Sequence, residues 1–192
     1  MVKEVAKTRP LHILDVATGT GDLAFLLYKK TKANVIGVDI ATGMLEVACK
    51  KQAAKSIPVT FLQATASSLP FPEHSFDVVT VAFGVRNFED LHKGLQEIRR
   101  VLKPGGTVAI LEFTTPRSWP IKLLYRFYSS RIIPFIGRIV SGHTSAYSYL
   151  PASISEFPQR EKLIDILNLL NFKTSNYKIF TMGVCGMYNA KC

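Results

Sequence analysis

The fold is decided by residues 13–22, Ile-Leu-Asp-Val-Ala-Thr-Gly-Thr-Gly-Asp, together with residues 35–39, Val-Ile-Gly-Val-Asp. In each stretch an apolar run ends in an acid, and a glycine-rich turn and a helix-forming segment lie between the two runs. This order predicts a nucleotide-binding βαβ unit. Gly19 and Gly21 carry no Cβ, so the turn between strand and helix can lie close against a ligand.

The acids at the strand ends have separate predicted roles. Asp39 is placed to accept hydrogen bonds from the two hydroxyls of a ribose, and Asp15 to accept from a cationic amine near the turn. The turn lacks the Lys-Ser/Thr pair of a phosphate-binding P-loop, and Ala24 takes the third glycine position. The motif alone therefore leaves S-adenosylmethionine and NAD both open as ligands.

Composition predicts one globular domain over residues 1–192, because 47% of the residues are hydrophobic and 20% are charged. The chain has no apolar signal-peptide core at its start and no run of about eighteen apolar residues, which favours a cytoplasmic protein. The three cysteines have no metal-ligand spacing, so we predict no metal site and a reducing compartment. They are Cys49, Cys185 and Cys192.

Apolar runs and helical periodicity alternate along the chain, which predicts an α/β fold. The predicted strands are 11–16, 35–39, 59–63, 75–83, 107–113, 172–180 and 183–190; the predicted helices are 22–32, 42–55, 89–102 and 159–170. We expect a single doubly wound, mostly parallel seven-stranded sheet with an antiparallel last strand. Leu26 is expected in the core and Thr42 as a helix cap. Ligands bind beyond the carboxyl ends of such strands, so Asp39, the Thr65-Ala66 turn and residues 82–87 should converge on the glycine turn.

Several further motifs carry a resemblance to known families. One set of motifs resembles those of class I S-adenosylmethionine-dependent methyltransferases, which are Rossmann-like. These motifs are residues 15–22, Asp39, Leu-Pro-Phe-Pro at 69–72, Ser-Phe-Asp at 75–77, residues 101–106 and Leu-Glu-Phe at 111–113. A second set resembles a narrower family, the ubiquinone/menaquinone biosynthesis C-methyltransferases. Its motifs are Phe-Gly-Val-Arg-Asn at 83–87, Tyr-Ser-Tyr-Leu-Pro-Ala-Ser-Ile at 147–154 and Phe-Pro at 157–158. The resemblance extends from Leu11 to the end of the chain.

The resemblance implies methyl transfer from S-adenosylmethionine to a ring carbon of a demethylated prenyl quinol, with S-adenosylhomocysteine as product. The implied cofactor-binding residues are Asp15, Gly19, Thr20, Gly21, Asp39, Thr65, Ala66 and Ala82. The implied catalytic residues are Arg86, which stabilises phenolate charge and orients a water, and Asn87 and Tyr147, which hold the ring. Thr65 departs from the usual Asn or Asp of the family, and we expect that an N-terminal segment covering the site is missing here.

The distribution of charge along the chain indicates which partners the protein binds. The net charge is +10, and residues 113–155 contain no acid, but basic residues interleaved with apolar ones. This composition favours a helical lid at about 114–156 that receives a prenyl tail and meets anionic lipid at the inner face of the membrane. A buried helix with a solvated charged face explains it equally well. No nucleic acid is expected as a partner, and a homodimer is left open.

Three other functions remain open from the sequence. An NAD-dependent oxidoreductase uses the same βαβ unit, but the chain shows no Ser/Tyr/Lys set for hydride transfer. A different small-molecule or RNA methyltransferase of the same fold is the second. A protein that binds cofactor or lipid without turnover is the third, because Thr65 is unusual for the family.

Overall fold

The computed structural model describes residues 1–121, 123 and 152–192. Helices and strands alternate through most of this part of the chain. In order they are α1 (Val2–Lys7), β1 (His12–Val16), α2 (Asp22–Thr31), β2 (Asn34–Asp39), α3 (Thr42–Lys55), β3 (Val59–Gln63), β4 (Phe76–Ala82), α4 (Leu91–Val101), β5 (Leu102–Phe113), α5 (Glu161–Leu169), β6 (Lys173–Phe180) and β7 (Cys185–Lys191). Short 3₁₀ turns occupy Val85–Asn87 and Thr181–Gly183.

All seven strands form one sheet in the order β3-β2-β1-β4-β5-β7-β6. The pairs among β1 to β5 are parallel, whereas β7 runs antiparallel to both β5 and β6. The predicted doubly wound, mostly parallel sheet with an antiparallel last strand is therefore confirmed. The chain reverses its direction of travel across the sheet between β1 and β4, where α/β sheets form their ligand crevice.

The core lies on both faces of the central strands. Leu14, Val79 and Ile110, on β1, β4 and β5, are completely buried because helices cover the sheet on each side. The expectation that Leu26 is buried is wrong, since its side chain is 55% exposed. The buried residues of helix α2 are Ala24, Phe25 and Leu27. The helix is therefore oriented about its axis so that Leu26 lies on the solvent side.

Two predicted element boundaries are also wrong. Ala41 is the N-cap of α3, so Thr42 is its first helical residue, and the cap makes no side-chain hydrogen bond. Strand β5 begins at Leu102 rather than at residue 107. The cause is a contact distant in sequence, because Leu102 pairs with Phe76 of β4. Cys192, after β7, extends the pairing on the other side, where it accepts from the Gly105 amide and donates to the Gly106 carbonyl, at 3.0 and 2.8 Å.

The segment predicted as a lid is described only at its two ends. Residues 119–121, 123 and 152–156 are helical, while 122 and 124–151 lie outside the described residues. Within the described ranges, no helix combines the length and the apolar character that crossing a membrane requires.

Candidate active site

A cleft of about 470 Å³ opens at the carboxyl ends of the parallel strands. Its walls come from the turns after β1, β2, β3 and β4, so the four predicted loops do converge on one site. The lining residues are Val16, Ala17, Thr18, Gly19, Asp39, Ile40, Ala41, Met44, Ala64, Thr65, Ala66, Ser67, Ala82, Phe83, Gly84, Asn87, Phe88 and Glu89.

Asp39 joins the turn after β1 to the turn after β2. Its Oδ2 accepts from the Gly19 amide at 2.7 Å and its Oδ1 from the Ala41 amide at 2.9 Å. A carboxylate oxygen accepts more than one hydrogen bond, so both oxygens keep capacity for a pair of ribose hydroxyls. A Cβ built on Gly19 would meet no atom within 4 Å, which leaves room for a ligand beside the turn. These features fit a nucleoside.

Gly21 has a structural role in the same turn. It caps α2 with φ of 77°, and a Cβ there would lie 2.6 Å from Phe61 Cζ. Glycine is therefore required for backbone conformation and for packing against β3, and Gly21 does not line the cleft.

Asp15 lies beneath the cleft and is fully buried. Its oxygens accept from the hydroxyls of Thr18 and Thr80, each at 2.6 Å. Burial raises the pKa of Asp15 to about 6, although both hydroxyl bonds act in the opposite direction. The two threonines hold the carboxylate in place, and Asp15 thereby supports Thr18 in the cleft wall. Its contact with a cationic amine stays a prediction.

Thr20 does not line the cleft. Its hydroxyl donates to Asp22 Oδ2 at 2.8 Å and accepts from Lys51 Nζ at 2.9 Å, and Lys51 also pairs with Asp22 at 2.8 Å. The hydrogen bond from Lys51 holds the pKa of Asp22 below its usual value. This group attaches the start of α2 to α3.

Thr65 and Ala66 lie on the cleft side of a loop that α4 holds from behind. Glu97 accepts from the Leu69 amide at 2.9 Å, while Arg100 donates to the carbonyls of Leu69 and Phe71 at 3.0 and 2.8 Å. Arg100 and Glu97 also pair with each other at 2.7 Å. The predicted adenine loop is thus fixed through its backbone by one charged pair.

Arg86 lies beside the cleft rather than in its lining. Its side chain is 10% exposed, and its Nη1 donates to the Phe83 carbonyl and to Glu112 Oε1, the latter at 2.8 Å. The buried Nε has no hydrogen-bond partner among the described residues. A buried donor without a partner costs free energy, which is typical of a group that serves a ligand.

Glu112, in the Leu-Glu-Phe motif at 111–113, is a candidate site residue that has no predicted role of its own. It is completely buried, and its Oε1 also accepts from the Phe113 amide at 2.8 Å. Burial raises the pKa of Glu112, against the Phe113 bond and the Arg86 charge. The available signal was an acid within the apolar run of β5, since an acid is seldom buried unless it is paired.

The structure brings together some of the predicted site residues and not others. Those lining the cleft are Gly19, Asp39, Thr65, Ala66, Ala82 and Asn87; those beside or beneath it are Asp15, Thr20, Gly21 and Arg86. Tyr147 lies outside the described residues. In the part of the chain that the structure describes, no three His, Cys, Asp or Glu side chains are grouped to hold a metal ion.

Comparison with known proteins identifies the family. The model of the ubiE/COQ5 methyltransferase family matches residues 1–191. The chain belongs to this family. It is 45% identical over 180 residues to a demethylmenaquinone methyltransferase of Thermus thermophilus, covering 93% of this chain and 81% of that protein. It is 41% identical over 184 residues to the ubiquinone/menaquinone biosynthesis C-methyltransferase UbiE of Geobacter sulfurreducens, covering 94% and 72%.

Solved structures agree on the fold. A SAM-dependent methyltransferase from Aquifex aeolicus matches with a TM-score of 0.69 at 20% identity, covering 99% of this chain and 88% of that one. Phosphoethanolamine N-methyltransferase 2 of Haemonchus contortus, in complex with S-adenosylhomocysteine, matches with a TM-score of 0.71 at 16% identity, covering 94% and 48%. The family places this ubiE/COQ5 member among the S-adenosylmethionine-dependent methyltransferases.

Proposed function

We propose that this chain transfers a methyl group from S-adenosylmethionine to a ring carbon of a demethylated prenyl quinol. The acceptor is demethylmenaquinol or a polyprenyl benzoquinol, and the reaction belongs to menaquinone or ubiquinone biosynthesis. The names of the curated relatives support this acceptor class. The observation that carries the proposal is one cleft with Asp39 at one end and the buried Arg86–Glu112 pair beside the other.

The cofactor site is proposed from the residues that line the cleft. Asp39 would accept from the ribose hydroxyls, Thr65 and Ala66 would border the adenine, and Gly19 and Ala82 would lie along the methionine end. Asp15, Thr20 and Gly21 would support this site from outside it. S-adenosylmethionine supplies a methyl group on a sulfonium sulfur, and no metal is part of the proposal.

The acceptor side needs a group that favours the ionised quinol. A ring carbon becomes nucleophilic when a neighbouring phenol loses its proton, so stabilising phenolate charge promotes attack. Arg86 is a poor base because guanidinium does not release its proton in proteins. We propose that its guanidinium stabilises the phenolate and orients a water that takes the proton, while Asn87 positions the ring. Tyr147 stays a predicted partner of the ring oxygens.

The proposed location is the cytoplasm, with peripheral contact at the inner face of the membrane. The net charge of +10 and the acid-free composition of residues 113–155 support attraction to anionic lipid. A prenylated substrate also resides in the bilayer, so contact would give the cleft access to it. A homodimer is left open.

Two variants separate cofactor binding from turnover. Asp39→Ala should raise the Kd for S-adenosylmethionine about tenfold or more, because two hydrogen bonds to ribose are lost. Arg86→Lys should lower kcat at least about tenfold and leave that Kd within about twofold, because lysine lacks the planar fork of arginine. Isothermal titration calorimetry measures the Kd and labelled methyl transfer measures kcat.

Glu46→Ala, an exposed acid on α3, is the control and should change neither quantity. An unchanged Kd in Asp39→Ala would remove the ribose role. An equal loss of affinity and kcat in Arg86→Lys would reduce Arg86 to a structural residue.

A further inference from the structure

Phe83, directly after β4, adopts a backbone conformation that bulky residues seldom occupy. Its φ is 55°, in the left-handed region. The Phe83 amide donates to the Leu111 carbonyl at 2.7 Å, and its own carbonyl accepts from Arg86 Nη1. Strained residues persist where the surroundings fix them, and they are concentrated at ligand sites.

The same residue lines the cleft and carries an aromatic ring. Phe83 is 38% exposed and is one of the lining residues. Its ring packs on that of Phe113, with centroids 4.5 Å apart and planes inclined by 33°. The guanidinium carbon of Arg86 lies 5.5 Å from the Phe113 centroid. Phe113 thus contacts both the Phe83 ring and the Arg86 guanidinium, which we propose stabilises the phenolate of the acceptor.

The position of Phe83 along the cleft separates it from the nucleoside end. Asp39 ends β2, whereas Phe83 follows β4 and Phe113 ends β5. Strand β1 with its glycine turn lies between the two groups. If the ribose of S-adenosylmethionine binds Asp39 and its methionine end lies beside Gly19, the methyl group is directed toward the β4 side of the cleft. An acceptor must approach there to meet the methyl group.

We propose that Phe83 is the platform on which the aromatic ring of the acceptor stacks, with Phe113 as its support. This inference rests on the proposed function and adds the contact that recognises the ring. Aromatic rings attract each other in offset or inclined arrangements, and the Phe83–Phe113 pair already shows one. A planar quinol ring can extend this stack, which selects acceptors by their ring rather than by the prenyl tail.

The test compares Phe83→Leu with Phe83→Tyr, because leucine keeps apolar volume and tyrosine keeps the ring. Phe180→Leu is the matched control, since Phe180 is 44% exposed and lies outside the cleft. Methyl transfer is measured with a prenylated demethylnaphthoquinol and with a tailless one, and calorimetry gives the Kd for S-adenosylmethionine. Equilibrium dialysis measures binding of the tailless naphthoquinone in the presence of S-adenosylhomocysteine.

Phe83→Leu should raise KM for both acceptors, and the dialysis Kd for the tailless ring, by about fivefold. The Kd for S-adenosylmethionine should stay unchanged, and Phe83→Tyr and Phe180→Leu should behave as the unaltered chain does. A KM increase limited to the prenylated acceptor would assign Phe83 to the tail and overturn the proposal. Weaker cofactor binding in Phe83→Leu would overturn it as well.

The dialysis arm separates this inference from the proposed function. Methyl transfer by the unaltered chain, with no change in Phe83→Leu, would overturn only the platform. An unaltered chain that transfers no methyl group would overturn the quinol reaction. In that case the platform stands if Phe83→Leu weakens binding of the ring, and falls if it does not or if the ring does not bind.

Discussion

At the scale of single residues, the Arg86–Glu112 pair distinguishes this cleft from an ordinary nucleoside site. Both side chains are at least nine-tenths buried, and their nitrogen and oxygen are 2.8 Å apart. Removing two charges from water costs about as much free energy as their attraction returns, so such a pair contributes little net stability. A buried pair between the apolar strand β5 and the 3₁₀ turn after β4 therefore favours a role in the reaction.

A double variant separates stability from chemistry at this pair. Glu112→Gln should destabilise the fold by about 3 kcal/mol, because the Arg86 charge remains buried without a counterion. Arg86→Met combined with Glu112→Leu should recover most of that stability, since both charges are gone. Urea denaturation measures the free energy of unfolding, and labelled methyl transfer should stay low in both proteins.

Glu161→Gln is the control for this comparison. Glu161 pairs with Arg117 at 2.6 Å on the surface, and exposed pairs add little to stability. A double variant that regained full turnover together with stability would show that the Arg86–Glu112 pair has no part in the reaction.

Asp15 makes a prediction about pH. Burial raises its pKa from 3.8 to about 6, so the folded state binds the proton more tightly than the unfolded state. The favourable contribution of the protonated acid is complete below the unfolded value and is lost as pH rises through about 6. Between pH 5 and pH 7 the unaltered chain should lose about 1 kcal/mol that Asp15→Asn does not lose.

Urea denaturation of both proteins at the two pH values measures this difference. Other titrating groups, Glu112 included, are common to both proteins and cancel in the comparison. Parallel pH dependence of the two proteins would show that Asp15 titrates alike when folded and unfolded.

Sequence reasoning reached some site residues and missed others for physical reasons. Asp39 and Gly19 were predicted because the βαβ motif fixes their relation locally, and the structure joins them at 2.7 Å. Glu112 was not assigned because its partner, Arg86, is distant in sequence. Only the pairing of β4 with β5 and the 3₁₀ turn between β4 and α4 bring the two together.

At the scale of elements, Arg100 of α4 holds the loop that we propose borders the adenine. Replacing Arg100 by Gln removes its hydrogen bonds to the Leu69 and Phe71 carbonyls and its pairing with Glu97. The loop should become less ordered, and the Kd for S-adenosylmethionine should rise about three- to tenfold, equivalent to one or two hydrogen bonds. Calorimetry measures the Kd, and amide hydrogen exchange should accelerate over residues 64–72.

Arg99→Gln on the same helix is the matched control. Arg99 donates at 3.4 Å to the Asn171 carbonyl and does not contact the loop. If Arg99→Gln and Arg100→Gln weakened cofactor binding equally, α4 would act through its general stability rather than through the loop.

Element positions were predictable where the pattern is local. The apolar runs of β2, β3 and β4 and the periodicity of α4 predicted those elements to within two residues. The start of β5 was not predictable, because Leu102 pairs with Phe76, which is distant in sequence. The orientation of α2 was predicted incorrectly at Leu26, since it depends on which face the sheet covers.

At the scale of the whole molecule, the fold does not choose the acceptor. A phosphoethanolamine N-methyltransferase shares this architecture with a TM-score of 0.71 at only 16% identity. One fold hosts many reactions, and the site determines which one occurs. In this chain we expect the residues after β4 and at the end of β5 to determine the acceptor, and the basic, acid-free segment 113–155 to give access to a lipid acceptor.

The central claim is therefore tested by the acceptor itself. The chain is incubated with methyl-labelled S-adenosylmethionine and liposomes that contain demethylmenaquinol or a polyprenyl benzoquinol, and the extracted lipid is analysed for label on a ring carbon. We predict labelled product with at least one of the two rings, which also identifies the acceptor. No labelled lipid with either ring, from protein that binds S-adenosylmethionine in the same buffer, would contradict the quinol assignment.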